Sequence, residues 1–382
     1  MKIILIVLGA LCIYQLQRIL YRKYWNKNLT VEIRFTQHAI WEREEGELCE
    51  TIVNQKWLPL PMLRVKFEAD RHLDFMQEGN ISVTDRCYKN DIFSVMMYQK
   101  IVRRLKFRGI RRGYYTIKQI SADSSDLFMD QHLREEIPSD AWLYVYPGQA
   151  DKKRLLVPFQ KMMGDIITKR YTYEDPFEFQ GIRPYEPFDS MRDVNWKATA
   201  RTGELRTNIH GYTVRQEVCL LLNLECESMM EYQQLREESI RIANSLSEMF
   251  LAQGIPVGIC SNAKDLLSGK TLHIKSGADG QHLIWIRESL SRLDLSQEIQ
   301  EFEEYTKQEA IGPEVLRQSS EVLYVLISTS QRAEVVRTFE RFASKCCGSW
   351  WILPLHPWME QRVQNRKGGV VLRWEVEQIA AG

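Results

Sequence analysis

The rhythm of hydrophobic and polar positions changes three times along the chain. Ile3 to Tyr14 is an uncharged, mostly apolar run, continued by Leu16 and, beyond Arg18, by Ile19, Leu20 and Tyr21. From about residue 29 to 147 apolar and polar residues alternate with period two. Leu29 to Phe35, Met62 to Phe67, Ile92 to Tyr98 and Tyr114 to Ile117 follow this habit, separated by turn signals at Glu45-Gly46, Pro59 and Pro61, Gly79-Asn80, Gly109 and Gly113. Short alternating strands at this spacing predict an antiparallel β-sandwich. From Glu217 the texture becomes strand, helix, strand. Val218–Leu224 is almost continuously apolar, as suits a parallel sheet buried on both faces. A helical pattern over Met229–Leu251 follows, then a strand at Pro256–Cys260, a helix over Leu283–Leu293, a strand at Val322–Ile327 and a helix over Arg332–Ala343. Trp350–Leu353 and Val370–Leu372 are further strands. Strands alternating with helices predict a doubly wound α/β sheet.

The predicted fold class is therefore α+β multidomain. Residues 1–28 form a membrane anchor, 29–147 a β-sandwich, 148–216 an irregular charged segment, and 217–382 an α/β domain. Ile3 to Gln17 spans about 22 Å at ~1.5 Å per residue, short of the ~30 Å hydrocarbon core. Snorkelling of Arg18 extends the span to Tyr21. No small-x-small cleavage site follows the run, and Leu11 before Cys12 does not suit a lipoprotein box, so the run is read as a retained single-pass anchor in the cell membrane. Arg18, Arg22, Lys23 and Lys27 follow it and only Lys2 precedes it, which predicts cytoplasmic soluble domains. Tyr21, Tyr24 and Trp25 are expected to form an interfacial aromatic belt.

The irregular segment is the densest in information. Between Glu178 and Arg201, acids and bases alternate around Phe179, Tyr185, Phe188 and Trp196 with no regular period. Buried charges are tolerated only when paired and hydrogen-bonded. Arg183, Arg192, Lys197 and Arg201 are thus expected to pair with Glu178, Glu186, Asp189 and Asp193 around a buried Trp196. Arg183-Pro184-Tyr185-Glu186-Pro187, Asp189, Arg192 and Asn195-Trp196-Lys197-Ala198-Thr199-Ala200-Arg201, together with Gly181, resemble the signature of the domain-of-unknown-function 58 family. Phe188 stands where that family usually has glycine. The stretch Arg112–Tyr115 followed by Asp123–Asp130 resembles the end of the family's β-rich region.

The resemblance implies that the α/β domain is von Willebrand factor A-like. Such domains hold a divalent cation at the carboxyl edge of the first strand through Asp-x-Ser-x-Ser. The matching positions here are Asn223, Glu225 and Glu227, with Thr329 in the Ser328-Thr329-Ser330 run where a further acid is expected. Both aspartates and the hydroxyl ligands are absent. Glu225 and Glu227 could hold Mg2+ with waters, but a lost metal site with solvated or ion-paired glutamates is the reading adopted. The resemblance also implies a partner, a MoxR-type AAA+ ATPase, often accompanied by transglutaminase-like membrane proteins.

Composition adds little. The chain has 382 residues, a formal net charge of +1, 26% charged and 44% hydrophobic residues, which gives no reason to expect nucleic acid binding. The eight cysteines show no CxxC or Cys/His ligand spacing, and Cys219 and Cys260 sit in apolar strands as small hydrophobes, so a reducing compartment is favoured. Gly277-Ala278-Asp279-Gly280 lacks a Walker lysine, and no G-x-S-x-G elbow occurs. The pairs Glu174/Asp175 and Asp189/Asp193 lie inside the charged segment, and His210 and His282 stand alone. The expectation is a non-enzymatic membrane-anchored adaptor or scaffold with no cofactor and no catalytic residue. The alternative is a hydrolase using the signature carboxylates.

Overall fold

The computed structural model describes residues 2–76, 81–83, 86–170, 175–211, 217–225, 233–308, 322–345, 348–365 and 369–377. The chain divides into two compact units, residues 1–148 and 149–382.

The first unit opens with helix α1 (Lys2–Tyr24), long and apolar enough to cross a membrane. Its first half is exposed, whereas Gln17 and Tyr21 are buried against the strands that follow. These are β1 (Leu29–Phe35), β2 (Ala39–Trp41), β3 (Glu45–Asn54), β4 (Leu60–Asp70), β5 (Leu73–Phe75), β6 (Ile81–Val83), β7 (Arg86–Val95), β8 (Lys100–Gly109), β9 (Gly113–Ser125) and β10 (His132–Tyr146). One sheet runs β1-β3-β8-β5 and the other β2-β10-β9-β4-β7-β6. Every pairing is antiparallel except β2 with β10. Alternation gives each strand one inward face. Leu48 and Ile52 of β3 and Leu105 and Phe107 of β8 meet Val65 and Phe67 of β4 and Ile120 of β9 in a shared core.

Three expectations need correction here. Glu45-Gly46 opens β3 instead of making a turn. Gly46 is required because a Cβ there would lie 2.7 Å from Phe107 Cζ. Strand β7 stops at Val95, and Met96–Tyr98 turn the chain, with Tyr98 in the left-handed region at φ 53°. Strand β10 returns alongside β9 and runs to Tyr146. Tyr21 and Trp25 are 1% and 5% exposed, so they belong to the sandwich core instead of a free aromatic belt.

The second unit contains α2 (Lys152–Arg170), β11 (Asp175–Pro184), α3 (Trp196–Thr202), β12 (Arg206–Gly211), β13 (Glu217–Asn223), α4 (Gln233–Ala252), β14 (Val257–Asp265), β15 (Thr271–Gly277) and α5 (Gly280–Ser291). It continues with β16 (Leu293–Asp294), α6 (Phe302–Gln308), β17 (Val322–Ser328), α7 (Ala333–Lys345), β18 (Ser349–Leu355) and β19 (Gly369–Glu375). The main sheet is ordered β15-β14-β13-β17-β18-β19, with a short β16 on β14. Pairings from β14 through β19 are parallel, and β15 closes the edge antiparallel. One face buries Leu220, Leu222, Val325 and Ile327 under α2, α4 and α5. The other buries Leu221, Tyr324, Leu326 and Trp351 under α6 and α7. Apolar residues on both sides explain the unbroken hydrophobic runs. Helix α2 contributes Leu155, Phe159 and Met162 to this core, so the expected segment 148–216 is not one irregular piece. Strand β15 and helix α6, which no strong pattern announced, also belong to the layer.

Candidate functional site

Two regions gather the polar groups singled out in the sequence. The first is the signature, which folds as a hairpin with an inserted helix. Strands β11 and β12 pair with Ile182 opposite Asn208 and Arg183 opposite Thr207. The Tyr185 N–H donates to Leu205 O at 2.9 Å, and the Asn195 N–H to Arg206 O at 2.8 Å, closing the loop between the strands. Asn195 caps α3: its Oδ1 accepts from the Ala198 N–H at 2.9 Å while its Nδ2 donates to Asn208 Oδ1 at 2.7 Å. Gly203 ends α3 in the left-handed conformation at φ 77°, as a C-terminal cap.

One ion pair organises the tip. Arg183 grips both oxygens of Asp189, at 2.7 and 2.6 Å, and Asp189 also accepts the Glu186 N–H at 2.8 Å. Those bonds, Arg183 foremost, hold the Asp189 carboxyl below its ordinary range. The Tyr185 hydroxyl donates to Asp189 O at 3.2 Å. Arg183 also lies 4.0 Å from the exposed Glu186.

The expected pairing of the other three basic residues is not seen, and the side chain of Glu178 lies outside the described residues. Among the described residues, no ion pair joins Arg192, Lys197 or Arg201, and all three side chains are exposed. Trp196 is 63% exposed and Phe188 94%, with Phe179 and Met191 also outward. Trp196 is therefore not the buried centre of the segment. It is the first residue of a short helix whose polar cap, not its indole, ties the loop together. Among the described residues of the hairpin, Val194 and Thr207 are the buried ones. Gly181 has open space where a Cβ would stand, with Ile209 Cδ1 no nearer than 3.9 Å, and Pro187 and Ala200 are exposed. Glu174 lies outside the described residues.

The second region is the carboxyl end of β13, β14 and β17. Asn223 is fully buried; its Nδ2 donates to Ser328 Oγ at 3.0 Å. Its Oδ1 accepts from Asn262 Nδ2 at 2.9 Å and from the Glu225 N–H at 3.0 Å. Asn262 in turn accepts the Leu224 N–H and donates to Gln300 O. Ser328 Oγ donates to Ser330 O and accepts the Ser330 N–H. Glu225 Oε1 lies 3.0 Å from Arg332 Nη1. Burial raises the Glu225 carboxyl pKa, while Arg332 opposes the rise. Thr329 is 6% exposed in the same edge.

This donor set does not fit a hard divalent cation, which asks for several free, preferably anionic oxygens. The oxygen of Asn223 already accepts two hydrogen bonds, and a guanidinium occupies the side of Glu225. Among the described residues no group of three acidic, cysteine or histidine side chains could hold a metal. Glu227 lies outside the described residues. Asn262 and Arg332 were not singled out in the sequence, since residues brought together from separate strands carry no spacing signal.

Elsewhere, His282 Nε2 sits 2.7 Å from Val257 O, as a buried structural group. Cys260 is more than a small hydrophobe. Its Sγ lies 3.2 Å from His273 Nδ1 on the neighbouring strand. A hydrogen bond from Cys219 and the contact with His273 outweigh burial and bring its thiol down to about 6. In the sandwich, Glu50, Lys89 and Asp91 are buried charges that alternation alone would have made apolar.

No family model and no curated protein matches the chain. Among solved structures, it is similar to the CARDB domain of the PF1109 protein of Pyrococcus furiosus, with 16% identity over 29% of this chain and 86% of that one, TM-score 0.19. It is also similar to a type I cohesin–dockerin complex of Clostridium thermocellum, with 10% identity over 30% of this chain and 99% of that one, TM-score 0.21. A third is BslA, a bacterial hydrophobin, with 11% identity over 31% and 93%, TM-score 0.21. Likenesses this slight carry no argument about the present chain.

Proposed function

We propose that the chain is a non-enzymatic membrane-anchored adaptor whose signature hairpin docks a protein partner. The observation that carries this reading is the outward placement of Trp196 and Phe188, 63% and 94% exposed, on a loop fixed by the Arg183–Asp189 pair and the Asn195 cap. Exposed aromatics on a rigid support, ringed by arginine and lysine, have the composition of an interface hot spot. A hydrolase using the same carboxylates is disfavoured. Asp189 is locked to Arg183 and held ionised, so it is unsuited to donating a proton.

The second unit is assigned as von Willebrand factor A-like. Its strand order, five parallel strands closed by one antiparallel edge strand, supports this, as does the placement of Asn223 and Glu225 at the carboxyl end of β13. The amide and hydroxyl bonds at that edge replace the metal in this reading. The signature residues resemble those of the domain-of-unknown-function 58 family, and the partner is taken to be a MoxR-type AAA+ ATPase, with the soluble units in the cytoplasm.

Co-expression of the full chain with a MoxR-type ATPase, followed by detergent solubilisation and affinity purification, tests the reading. The ATPase is expected to co-purify with wild type, and Trp196→Ala and Phe188→Ala are expected to lose it at unchanged melting temperature. Retention of the partner by both variants refutes the docking role of the hairpin.

A further inference from the structure

The way α1 meets the sandwich sets a length problem. Tyr14, Gln17 and Tyr21 lie on one helical face at spacings of three and four. The Tyr14 ring packs tilted against Phe128, with centroids 5.6 Å apart, and its hydroxyl donates to Asp130 Oδ2 at 2.5 Å. Gln17 Nε2 donates to Asp126 Oδ2 at 2.9 Å, and the Tyr21 hydroxyl to Pro59 O at 2.8 Å. The helix is thus free of the sandwich only from Lys2 to Ile13. That stretch rises about 18 Å at ~1.5 Å per residue, against a hydrocarbon core of ~30 Å. A bilayer of ordinary thickness must extend about 12 Å further along the helix, to near Tyr21. It would then reach the level of the turn that Tyr14 and Gln17 touch.

That turn is apolar and outward. Leu127, Phe128 and Met129 are 53%, 61% and 58% exposed, and Met129 is held in the left-handed region at φ 58°. A second tip lies at the same end. Asn54 Nδ2 donates to both Leu58 O and Met96 O, tying the loop with Trp57 to the loop with Met97 and Tyr98. These three are 52%, 55% and 72% exposed. Of the two carboxylates at this turn, Asp130 is exposed and accepts the Tyr14 hydroxyl from the helix, while the other is withdrawn from the surface. Asp126 is fully buried and accepts from Gln17 and from the Asp130 and Gln131 N–H groups. Arg22 and Lys23 follow in the last turn of the helix and Lys27 just beyond it, where anionic headgroups would meet them.

We propose that this end of the sandwich is a lipid-contact surface, with Leu127–Met129 seated in the headgroup and acyl boundary beside α1 and Trp57, Met97 and Tyr98 at its rim. The inference goes beyond partner docking and rests only on α1 being a retained span. Exposed apolar tips flanking a membrane helix complete the hydrophobic length that the helix alone lacks.

The test uses the full chain in vesicles of phosphatidylethanolamine and phosphatidylglycerol at about three to one. The photoreactive residue p-benzoylphenylalanine is placed at Phe128, at Met97 or, as a control at the opposite end of the sandwich, at Ile110. After irradiation, mass spectrometry is expected to find lipid adducts about tenfold more abundant at 128 and 97 than at 110. Equal yields at 128 and 110, or adducts at 128 to protein instead of lipid, overturn the proposal. Extraction of the chain from the vesicles by alkaline carbonate overturns the span as well, and leaves the docking role of the hairpin to its own assay.

Discussion

Glu50 provides a sharp test of the sandwich core. Its side chain points between the two sheets, 2% exposed, and neither carboxylate oxygen has a hydrogen-bond partner. Asp91 stands nearby, held 2.8 Å from Arg103 Nη1 and 4.0 Å from Lys89 Nζ. Burial, and next the Asp91 charge, push the Glu50 carboxyl up to about 7, while Arg103 and Lys89 pull the other way. An acid whose pKa is higher folded than unfolded binds more protons in the folded state between the two values. Stability therefore falls as pH rises through that window, from about 4.5 to about 7. A shift of this size corresponds to about 3 kcal/mol in total, of which roughly 2 kcal/mol is lost between pH 5.5 and 8. Glu50→Gln keeps the shape and removes the titration. The full chain in detergent should show the variant within about 1 kcal/mol of wild type at pH 5.5. At pH 8 it should melt higher by roughly 6–8 °C. Subtracting wild type from variant at each pH cancels the titrating groups that do not interact with Glu50. A difference that does not grow with pH would show that Glu50 is not a buried acid of raised pKa.

Trp351 is fully buried and its indole N–H donates to Ser328 O at 3.1 Å; Trp351→Ala should cost about 3–5 kcal/mol, whereas the exposed Trp196→Ala should cost under about 1 kcal/mol, as read by denaturant unfolding of the full chain. Replacing Asn223 by leucine strands the Asn262 amide and the Glu225 N–H and should destabilise by about 1–3 kcal/mol; an unchanged denaturation midpoint would contradict the closed amide arrangement. The Cys260 thiol should ionise near pH 6, and His273→Ala should move its ultraviolet thiolate transition to higher pH. An unmoved transition would remove His273 as a cause.

The layers were legible where burial imposes a period. Val218–Leu224 and Val322–Ile327 read as buried parallel strands because both faces lose water, and Leu29–Phe35 read as a half-buried strand because one does. Legibility failed where tertiary context decides. Gly46 looked like a turn residue, yet it is small because Phe107 lies against it. Strand β8 breaks its alternation at Ile101-Val102 and Arg103-Arg104, so the period-two signal is lost there and its terminal glycine is the clearer mark. The crowding of aromatics among charges predicts a buried Trp196, but a local Asn–Asn hydrogen bond and one Arg–Asp pair hold the hairpin without it. At the sheet edge, the positions Asn223, Glu225 and Thr329 could be located from sequence. Arg332 and Asn262 became partners only once three strands were brought side by side.

The lower half of α1 has a consequence for how this protein can be handled. Tyr21 and Trp25 complete the interior of the sandwich, so the apolar helix and the first unit share a fold without a clean boundary. A fragment starting at Leu29 would lack two large aromatic side chains and the hydrogen bond to Pro59, a deficit of several kcal/mol by the usual cost of emptying such sites. Trimming the helix to make the protein soluble would therefore leave a hollow domain. The practical cut lies before Tyr14, where the helix first touches the strands.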